Sequence, residues 1–149
     1  MVTMVGTESR IEELVSSLLY LEHDAIAAYD STIEKLQDPA SKGQIAAFRD
    51  DHLKHVAELE TMASMLKISV PQGGDMKQLL TTGKIALASL VGDGAILKAM
   101  KTNEDDTVTA YERASRHPDA LPESRRRFEQ FAADERRHRA FMEQASAST

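Results

Sequence analysis

The sequence contains no cysteine, and this absence excludes several classes of functional site. A disulfide framework, an iron–sulfur or rubredoxin-type cluster, a thiol nucleophile and a cysteine zinc site all need the thiol group that is missing. If the protein binds a metal, its ligands must therefore come from histidine and from the carboxylates.

Long apolar runs and an excess of basic charge are missing as well. No stretch of about 18 apolar residues occurs, and residues 1–10 contain no apolar core of signal-peptide length. The formal net charge is -6, and the basic run at residues 125–127 has acidic neighbours, so nucleic-acid binding is not favoured. We expect a cytoplasmic protein that binds neither a membrane nor nucleic acid.

Alternating patterns typical of strands are also missing, and the apolar residues recur at helical spacing instead. We predict four long helices over residues 9–37, 41–66, 95–116 and 122–144, a shorter amphipathic helix over 76–91 and a loop at 70–74. The turns at Pro39 and Pro118 are short, so each outer pair forms an antiparallel hairpin. The long middle segment then makes the second and third long helices parallel. The expected fold is all-α, a four-helix bundle forming a single domain over residues 9–145.

One polar signature occurs twice in the chain. The first copy reads Glu22-x-x-Ala-x-x-Ala-Tyr29 and then Phe48-x-x-Asp51-His52-x-x-His55. The second copy reads Glu104-x-x-Thr-x-x-Ala-Tyr111 and then Phe131-x-x-Asp134-Glu135-x-x-His138. Such a repeat indicates that a helical hairpin has been duplicated. The two copies should therefore occupy equivalent places in the two halves of the bundle.

The ionisable residues of this signature fall on the apolar stripes of their helices. They are Glu22, His52, His55, Glu104, Glu135 and His138. A buried, unpaired carboxylate costs several kcal/mol, whereas a whole domain is stable by about 5–15 kcal/mol. No lysine or arginine lies squarely on these stripes, although Arg139 flanks the fourth, so bound cations are the simpler compensation. Counting from Pro39 and Pro118 places all six residues at one level, in the middle of the bundle.

The motifs resemble those of the ferritin-like superfamily, in its rubrerythrin and bacterioferritin group of di-metal carboxylate proteins. Glu22-x-x-Ala-Ile-x-x-Tyr29 is similar to that group's first-helix motif, and Asp134-Glu135-x-x-His138 is similar to its fourth-helix motif. The stretch from Gly83 through Gly92-Asp93-Gly94 to Glu104-Asp-Asp and Tyr111-Glu-x-Ala resembles an uncharacterised bacterial ferritin-like family. This resemblance covers residues 9–144 and implies an antiparallel bundle whose long crossover carries the extra helix.

The resemblance also implies a role for each candidate ligand. Glu22 and Glu104 would be terminal carboxylates, His55 and His138 nitrogen ligands, and Glu135 a bridging carboxylate. Where the family has its second bridging glutamate, this chain has His52, a neutral imidazole with one available lone pair. Two divalent ions held by three carboxylates keep one excess positive charge, unless hydroxide or an exogenous anion bridges the ions. The implied cofactor is iron, as two ions or as one if His52 weakens the second position, with manganese or zinc as alternatives.

Two aspartates are repeated beside the candidate ligands. Asp51 and Asp134 stand four residues before His55 and His138. They either hold the imidazole N–H groups across the hairpin or lie half-exposed on the flank.

Two tyrosines and two further histidines remain to be placed. Tyr29 and Tyr111 lie on the glutamate stripes, where core packing is favoured over a redox or gating role. His23 points away from its stripe and His117 lies in a turn, so both are expected at the surface.

Three classes of function fit these observations. The leading hypothesis is an iron-dependent oxidoreductase that reduces O2 or peroxide, coupled to oxidation of Fe(II) or another donor. The second class is a protein that binds or sequesters metal without turnover. The third is a stress-related or interaction module, a helical bundle descended from an enzyme, in which His52 marks a degenerate di-metal site. A homodimer is expected for two reasons. The helix over 76–91, and apolar residues outside the main stripes such as Val15, Leu19 and Ile26, together exceed what one core requires.

Overall fold

Four long helices pack side by side in the computed structural model, which describes residues 3–70 and 87–148. They are α1 (Ile11–Lys35), α2 (Pro39–Met65), α3 (Asp93–Ala114) and α4 (Pro122–Ala147). Helix α1 packs against α2 and α3, and α4 packs against the same two helices. No strand occurs within the described ranges, so the predicted all-α four-helix bundle is confirmed.

The turn between α1 and α2 has the expected length but lies two residues earlier, because α1 ends at Lys35 and α2 begins at Pro39 instead of at residue 41. Pro39 occupies the first turn of α2, where its missing N–H group leaves no hydrogen bond unmade. The carboxylate of Asp38 caps the helix by accepting a hydrogen bond of 2.9 Å from the N–H of Ser41. The proline therefore starts the second helix.

Contacts at both ends of α3 fix its direction. At its start, the carboxylate of Asp93 accepts hydrogen bonds of 2.9 Å from the N–H groups of Gln37 and Asp38, beside the first turn. At its end, Arg113 donates a hydrogen bond of 2.7 Å to the carbonyl oxygen of Thr3, just before α1. Helix α3 therefore runs antiparallel to α1 and parallel to α2, as predicted. The end of α2 and the start of α3 therefore lie at opposite ends of the bundle.

Part of the segment between α2 and α3 lies outside the described residues. The loop predicted at residues 70–74 lies outside the described residues except for its first member, and so does the predicted helix over 76–91 except for its last five. Residues 87–91 contain one turn, closed by a hydrogen bond of 3.1 Å from the N–H of Leu90 to the carbonyl oxygen of Leu87. Leu87 is buried in the core.

The core consists of two apolar clusters, one toward each end of the bundle. The cluster near the start of α1 includes Leu14, Leu18, Leu59 and Phe128. The cluster near the start of α2 includes Leu36, Ile45, Leu97 and Met142. Along every helix the candidate ligands lie between the two clusters, so a polar layer divides the core at mid-bundle.

The apolar residues that suggested a dimer are mostly used inside the chain. Val15 and Leu19 are each 1 % exposed, because α1 contacts two neighbouring helices and buries a face wider than one stripe. Ile26 is partly buried against the core, and most of the helix predicted over 76–91 lies outside the described residues. The homodimer therefore stays a prediction. Among the described helices, none combines the length and the apolar character needed to cross a membrane.

Candidate metal centre

The six ionisable residues of the duplicated signature meet in one buried layer. Helix α1 supplies Glu22, α2 supplies His52 and His55, α3 supplies Glu104, and α4 supplies Glu135 and His138. None of these residues is more than 1 % exposed. We name two overlapping groups, each with possible ligand atoms within 4.8 Å of one another. The first group is Glu22, His52, His55 and Glu135, and the second group is His52, Glu104, Glu135 and His138.

Short contacts between imidazole nitrogens and carboxylate oxygens hold the first group together. Nδ1 of His52 lies 2.7 Å from Oε2 of Glu22, and Nδ1 of His55 lies 3.1 Å from Oε1 of the same glutamate. Oε1 of Glu135 lies 3.4 Å from Nδ1 of His55 and 3.6 Å from Nδ1 of His52. Four donor atoms therefore face a common point.

The nitrogen–oxygen distances in the second group are slightly longer. Nε2 of His52 lies 3.8 Å from Oε1 of Glu104, and Nδ1 of His138 lies 3.9 Å from Oε2 of Glu104. Oε2 of Glu135 lies 3.6 Å from Nδ1 of His138. His52 and Glu135 belong to both groups, and each of them presents one atom to each group. Glu135 does so with its two oxygens and His52 with its two nitrogens.

The outer nitrogens of two histidines are held by the repeated aspartates. Nε2 of His55 lies 2.8 Å from Asp134, and Nε2 of His138 lies 2.8 Å from Asp51. These contacts join α2 to α4 and so connect the two hairpins. Of the two alternatives, the one in which the aspartates hold the imidazoles is therefore confirmed, but the contacts run between the hairpins and not across one of them. Arg137 donates to both aspartates, at 2.9 Å and 3.2 Å. With Nε2 fixed in this way, Nδ1 of each ring is turned toward the centre of the layer.

A phenylalanine from the opposite hairpin covers each of these two rings. Phe48 stacks on His138 with ring centroids 4.3 Å apart, and Phe131 packs on His55 with centroids 4.1 Å apart. The interplanar angles are 29° and 30°. Ring orientation is therefore fixed by a carboxylate at the edge and an aromatic face on one side.

The two tyrosines are buried as expected, and their hydroxyl groups also reach the layer. The O–H of Tyr111 donates a hydrogen bond of 2.6 Å to Glu22, and the O–H of Tyr29 donates to Glu104. Burial and the nearby carboxylates raise the pKa of both phenols well above the usual value. Sequence reasoning missed these hydrogen bonds, although the repetition of each tyrosine on a glutamate stripe is a signal for them.

Thr107 is a further member of the layer that sequence reasoning missed. Its hydroxyl lies 3.0 Å from Oε2 of Glu104 and 2.9 Å from Oε2 of Glu135. The hydroxyl of Thr107 has one proton and can donate it to only one of these two oxygens. The other contact is a hydrogen bond only if that glutamate carries a carboxyl proton, which it donates to the hydroxyl oxygen. Burial and the charge of Glu135 raise the pKa of Glu104 to about 7, which favours that proton on Glu104. The equivalent position in the first copy is Ala25.

The carboxylates raise the pKa of all three histidines of the layer. Burial lowers the pKa of an imidazole, but the charges of Glu135 and Glu22 raise the pKa of His52 well above its usual value. Hydrogen bonds to carboxylates likewise overcome burial and raise the pKa of His55 to about 11, and the pKa of His138 is raised too. Burial raises the pKa of Glu22 and Glu135, but the neighbouring histidines lower both.

Imidazolium–carboxylate pairs therefore compensate much of the charge of the layer without a metal. The sequence argument considered only lysine and arginine as internal cations and so overlooked this compensation. Bound cations are not the only way to neutralise the six residues.

One expectation for a residue outside the layer is wrong. His117 is 4 % exposed, and not a surface residue. Its Nε2 donates a hydrogen bond of 2.9 Å to the carbonyl oxygen of Glu8, and its Nδ1 accepts one of 3.1 Å from the N–H of Asp119. His117 thus ties the turn between α3 and α4 to the segment before α1.

The sequence matches the family described as "Domain of unknown function (DUF2383)" over residues 10–117. The chain belongs to this family. The matched segment contains α1 to α3 with Glu22, His52, His55 and Glu104, and it ends before α4. Neither the curated proteins nor the solved structures contain a match to the chain.

The donor set fits a transition-metal ion. Carboxylates combined with imidazoles suit iron, manganese and zinc. Among the described residues, Nε2 of His52 and Oε1 of Glu135 are buried and take part in no hydrogen bond. An unsatisfied buried polar atom costs about 1–3 kcal/mol, and coordination to an ion would remove that cost. Both atoms belong to the two residues that the groups share.

Proposed function

We propose that this protein is a metal-binding member of the ferritin-like superfamily. Its proposed ligands are Glu22, His52, His55, Glu104, Glu135 and His138. The observation that carries the proposal is the pair of overlapping groups, whose shared residues each keep one buried atom without a hydrogen bond. Superfamily members supply one glutamate from each of two helices and Glu-x-x-His from each of the other two. This chain follows that pattern except at His52.

Iron is the proposed metal, and the proposed reaction is reduction of O2 or peroxide coupled to oxidation of Fe(II) or another donor. Bound iron would supply the electron transfer in this reaction. The chain would supply fixed ligand positions, because Asp51, Asp134 and the two phenylalanines hold His55 and His138 in place. The apolar clusters on either side keep bulk water from the layer.

The test combines metal analysis with successive additions of Fe(II). Protein purified without chelator should contain a transition metal, and the stripped protein should bind Fe(II). Each addition in air should be oxidised with consumption of O2, for more than one round. Glu104→Gln should reduce this oxidation by at least about tenfold, since it removes a ligand. Glu58→Gln, on the surface of α2, is the matched control and should not change it. Absence of metal from the purified protein, together with failure to bind Fe(II), Mn(II) or Zn(II), would overturn the proposal.

Metal binding without turnover is the second candidate function. It is favoured by the charge compensation in the layer, because a protein that folds around imidazolium–carboxylate pairs can exist with or without its ion. Such a protein would bind Fe(II) in fixed proportion and then stop consuming O2. The second and later additions of Fe(II) therefore distinguish the two candidates.

A further inference from the structure

We infer that His52 bridges two metal ions, with Nδ1 binding the ion of the first group and Nε2 binding the ion of the second. This inference rests on the proposed metal-binding function, because it describes how the same layer holds two ions. It assigns to His52 the bridging role that the superfamily gives to a glutamate at this position.

The contacts of its two nitrogens distinguish His52 from the other histidines of the layer. His55 and His138 each bind an aspartate through Nε2, so each has only Nδ1 left for an ion. No such aspartate holds His52. Its Nδ1 faces Glu22 at 2.7 Å, and its Nε2 faces Glu104 at 3.8 Å without a hydrogen bond.

The surroundings of the ring keep both nitrogens in the layer. His52 is fully buried, and three rings enclose it: that of Tyr29 at 4.7 Å between centroids, that of His138 at 5.2 Å and that of His55 at 5.6 Å. A ring so enclosed cannot turn either nitrogen toward solvent. The imidazole lies between the two groups as a spacer with a donor atom at each end.

Bridging by His52 also balances the charge of the layer. Each ion replaces one N–H proton of the ring, both protons pass to the solvent, and the ring becomes an imidazolate with one negative charge. Together with Glu22, Glu104 and Glu135 it provides four negative charges, which match two divalent ions. The positive charge left uncompensated by the missing fourth carboxylate is thereby removed. The ions lie on opposite sides of a ring, farther apart than the roughly 3.5–4 Å of common two-metal sites.

The first test measures Zn(II) binding by calorimetry in three variants of the stripped protein. A bridging residue contributes to both binding events, whereas a terminal ligand contributes to one. His52→Gln should therefore weaken both Zn(II) sites by at least about tenfold, while His55→Gln and His138→Gln each weaken one. The wild-type protein should bind two Zn(II) ions. Binding of a single ion, or loss of one site only in His52→Gln, would overturn the bridge and leave the proposed function intact. Failure of the wild type to bind any Zn(II), Fe(II) or Mn(II) would overturn both.

The second test uses Cu(II) as a magnetic probe and does not depend on affinities. Two Cu(II) ions joined by an imidazolate are antiferromagnetically coupled, so the protein with two coppers should show less integrated electron paramagnetic resonance intensity per copper than the protein with one. The loss of intensity should persist in Glu135→Gln and disappear in His52→Gln. The opposite pattern would assign the bridge to Glu135 alone. If His52→Gln does not fold by circular dichroism, the Glu135→Gln spectrum decides, since uncoupled coppers there overturn the inference.

Discussion

The hairpin of α1 and α2 and the hairpin of α3 and α4 contribute nearly the same residues to the layer, and they differ at two positions. Where the second hairpin has Glu135 and Thr107, the first has His52 and Ala25. The two differences are linked in space, because the hydroxyl of Thr107 lies 2.9 Å from Glu135. In the second hairpin a hydroxyl lies beside the carboxylate, whereas the first hairpin has an imidazole at position 52 and an alanine at position 25. The two hairpins therefore differ both at the residue that belongs to the two groups and at the position that supplies the hydroxyl.

The two hairpins also exchange their supporting contacts. Tyr111 of the second hairpin binds Glu22 of the first, and Tyr29 of the first binds Glu104 of the second. The aspartate–histidine and phenylalanine–histidine pairs cross in the same way. Neither hairpin alone contains a complete set of ligands with their supports. The layer consequently depends on the packing of α1 on α3 and of α2 on α4.

The largest expected change in stability follows from His52→Glu, which makes the two hairpins alike at this position. In the metal-free protein this change adds a buried carboxylate and removes an imidazolium, so we expect the free energy of unfolding to fall by about 3–5 kcal/mol. Urea unfolding measures this loss. Leu53→Glu, at a half-exposed neighbour on α2, is the control and should change stability by no more than about 0.5 kcal/mol.

With metal bound, His52→Glu should have the opposite consequence. The fourth carboxylate gives two bridging glutamates, as in the superfamily pattern, so two irons should bind with equal affinity and Fe(II) oxidation should become faster. Loss of iron from this variant would show that position 52 does not bridge the two groups.

The layer was largely predictable from the sequence because helical periodicity fixes which side chains point inward. All six candidate ligands recur at core positions, and counting from Pro39 and Pro118 gave their common level. The contacts between halves were not predictable, since Asp51 and Asp134 reach their partners only when α2 lies beside α4. The periodicity of apolar residues along one helix does not indicate which other helix packs against it.

Other features depended equally on the tertiary structure. The burial of Val15 and Leu19 follows from α1 having two neighbours, which a single stripe does not reveal. The charged state of His55 results from carboxylates on other helices. The start of α2 was missed for a local reason, because Pro39 can either interrupt a helix or occupy its first turn.

The next largest expected effect is a loss of stability of the metal-free protein as the pH rises. A histidine whose pKa is raised on folding stabilises the fold below its unfolded pKa of about 6.5, and this contribution is lost as pH rises toward the folded value, about 11 for His55. Glu104, with its pKa raised to about 7, stabilises below about 4.5 and loses that contribution as pH rises through 7. Both effects predict lower stability at pH 8 than at pH 6.

A calorimetric scan at the two pH values measures this difference. A loss of about 2 kcal/mol would lower the Tm by roughly 4–8 °C. Saturating metal should raise the Tm at pH 8 and reduce the pH dependence, because coordinated ligands no longer bind protons. Glu104→Gln should recover part of the loss at pH 8 in the metal-free protein, whereas the surface variant Glu112→Gln should not. A metal-free Tm that rises from pH 6 to pH 8 would contradict the charge assignment of the layer.

A smaller effect is expected on metal affinity when the aspartate that supports one of the two groups is replaced, because each replacement should weaken only one metal site. Asp134→Asn acts through His55 on the first group, and Asp51→Asn acts through His138 on the second. Each change should weaken one metal site by about 10–100-fold and leave the other within about threefold. Zn(II) titration of the two variants, with Asp105→Asn as a surface control, measures this separation. Equal weakening of both sites by either variant would show that the groups do not bind separate ions.

The smallest effect concerns the hydroxyl of Thr107 and its absence at Ala25. Thr107→Val removes the donor to Glu135 and should cost about 1 kcal/mol in the metal-free protein. Ala25 lines a cleft between α1 and α3, so a threonine there has room. Ala25→Thr alone should lower stability by about 0.5 kcal/mol, the helix-propensity cost, because no bridging carboxylate accepts its proton.

Combining Ala25→Thr with His52→Glu sharpens this comparison. The new hydroxyl should then donate to the new carboxylate, so the double variant should be about 1 kcal/mol more stable than the sum of the two single changes predicts. Urea unfolding of the four proteins in the cycle gives the coupling free energy. A value near zero would mean that a hydroxyl at position 25 does not stabilise a carboxylate at position 52.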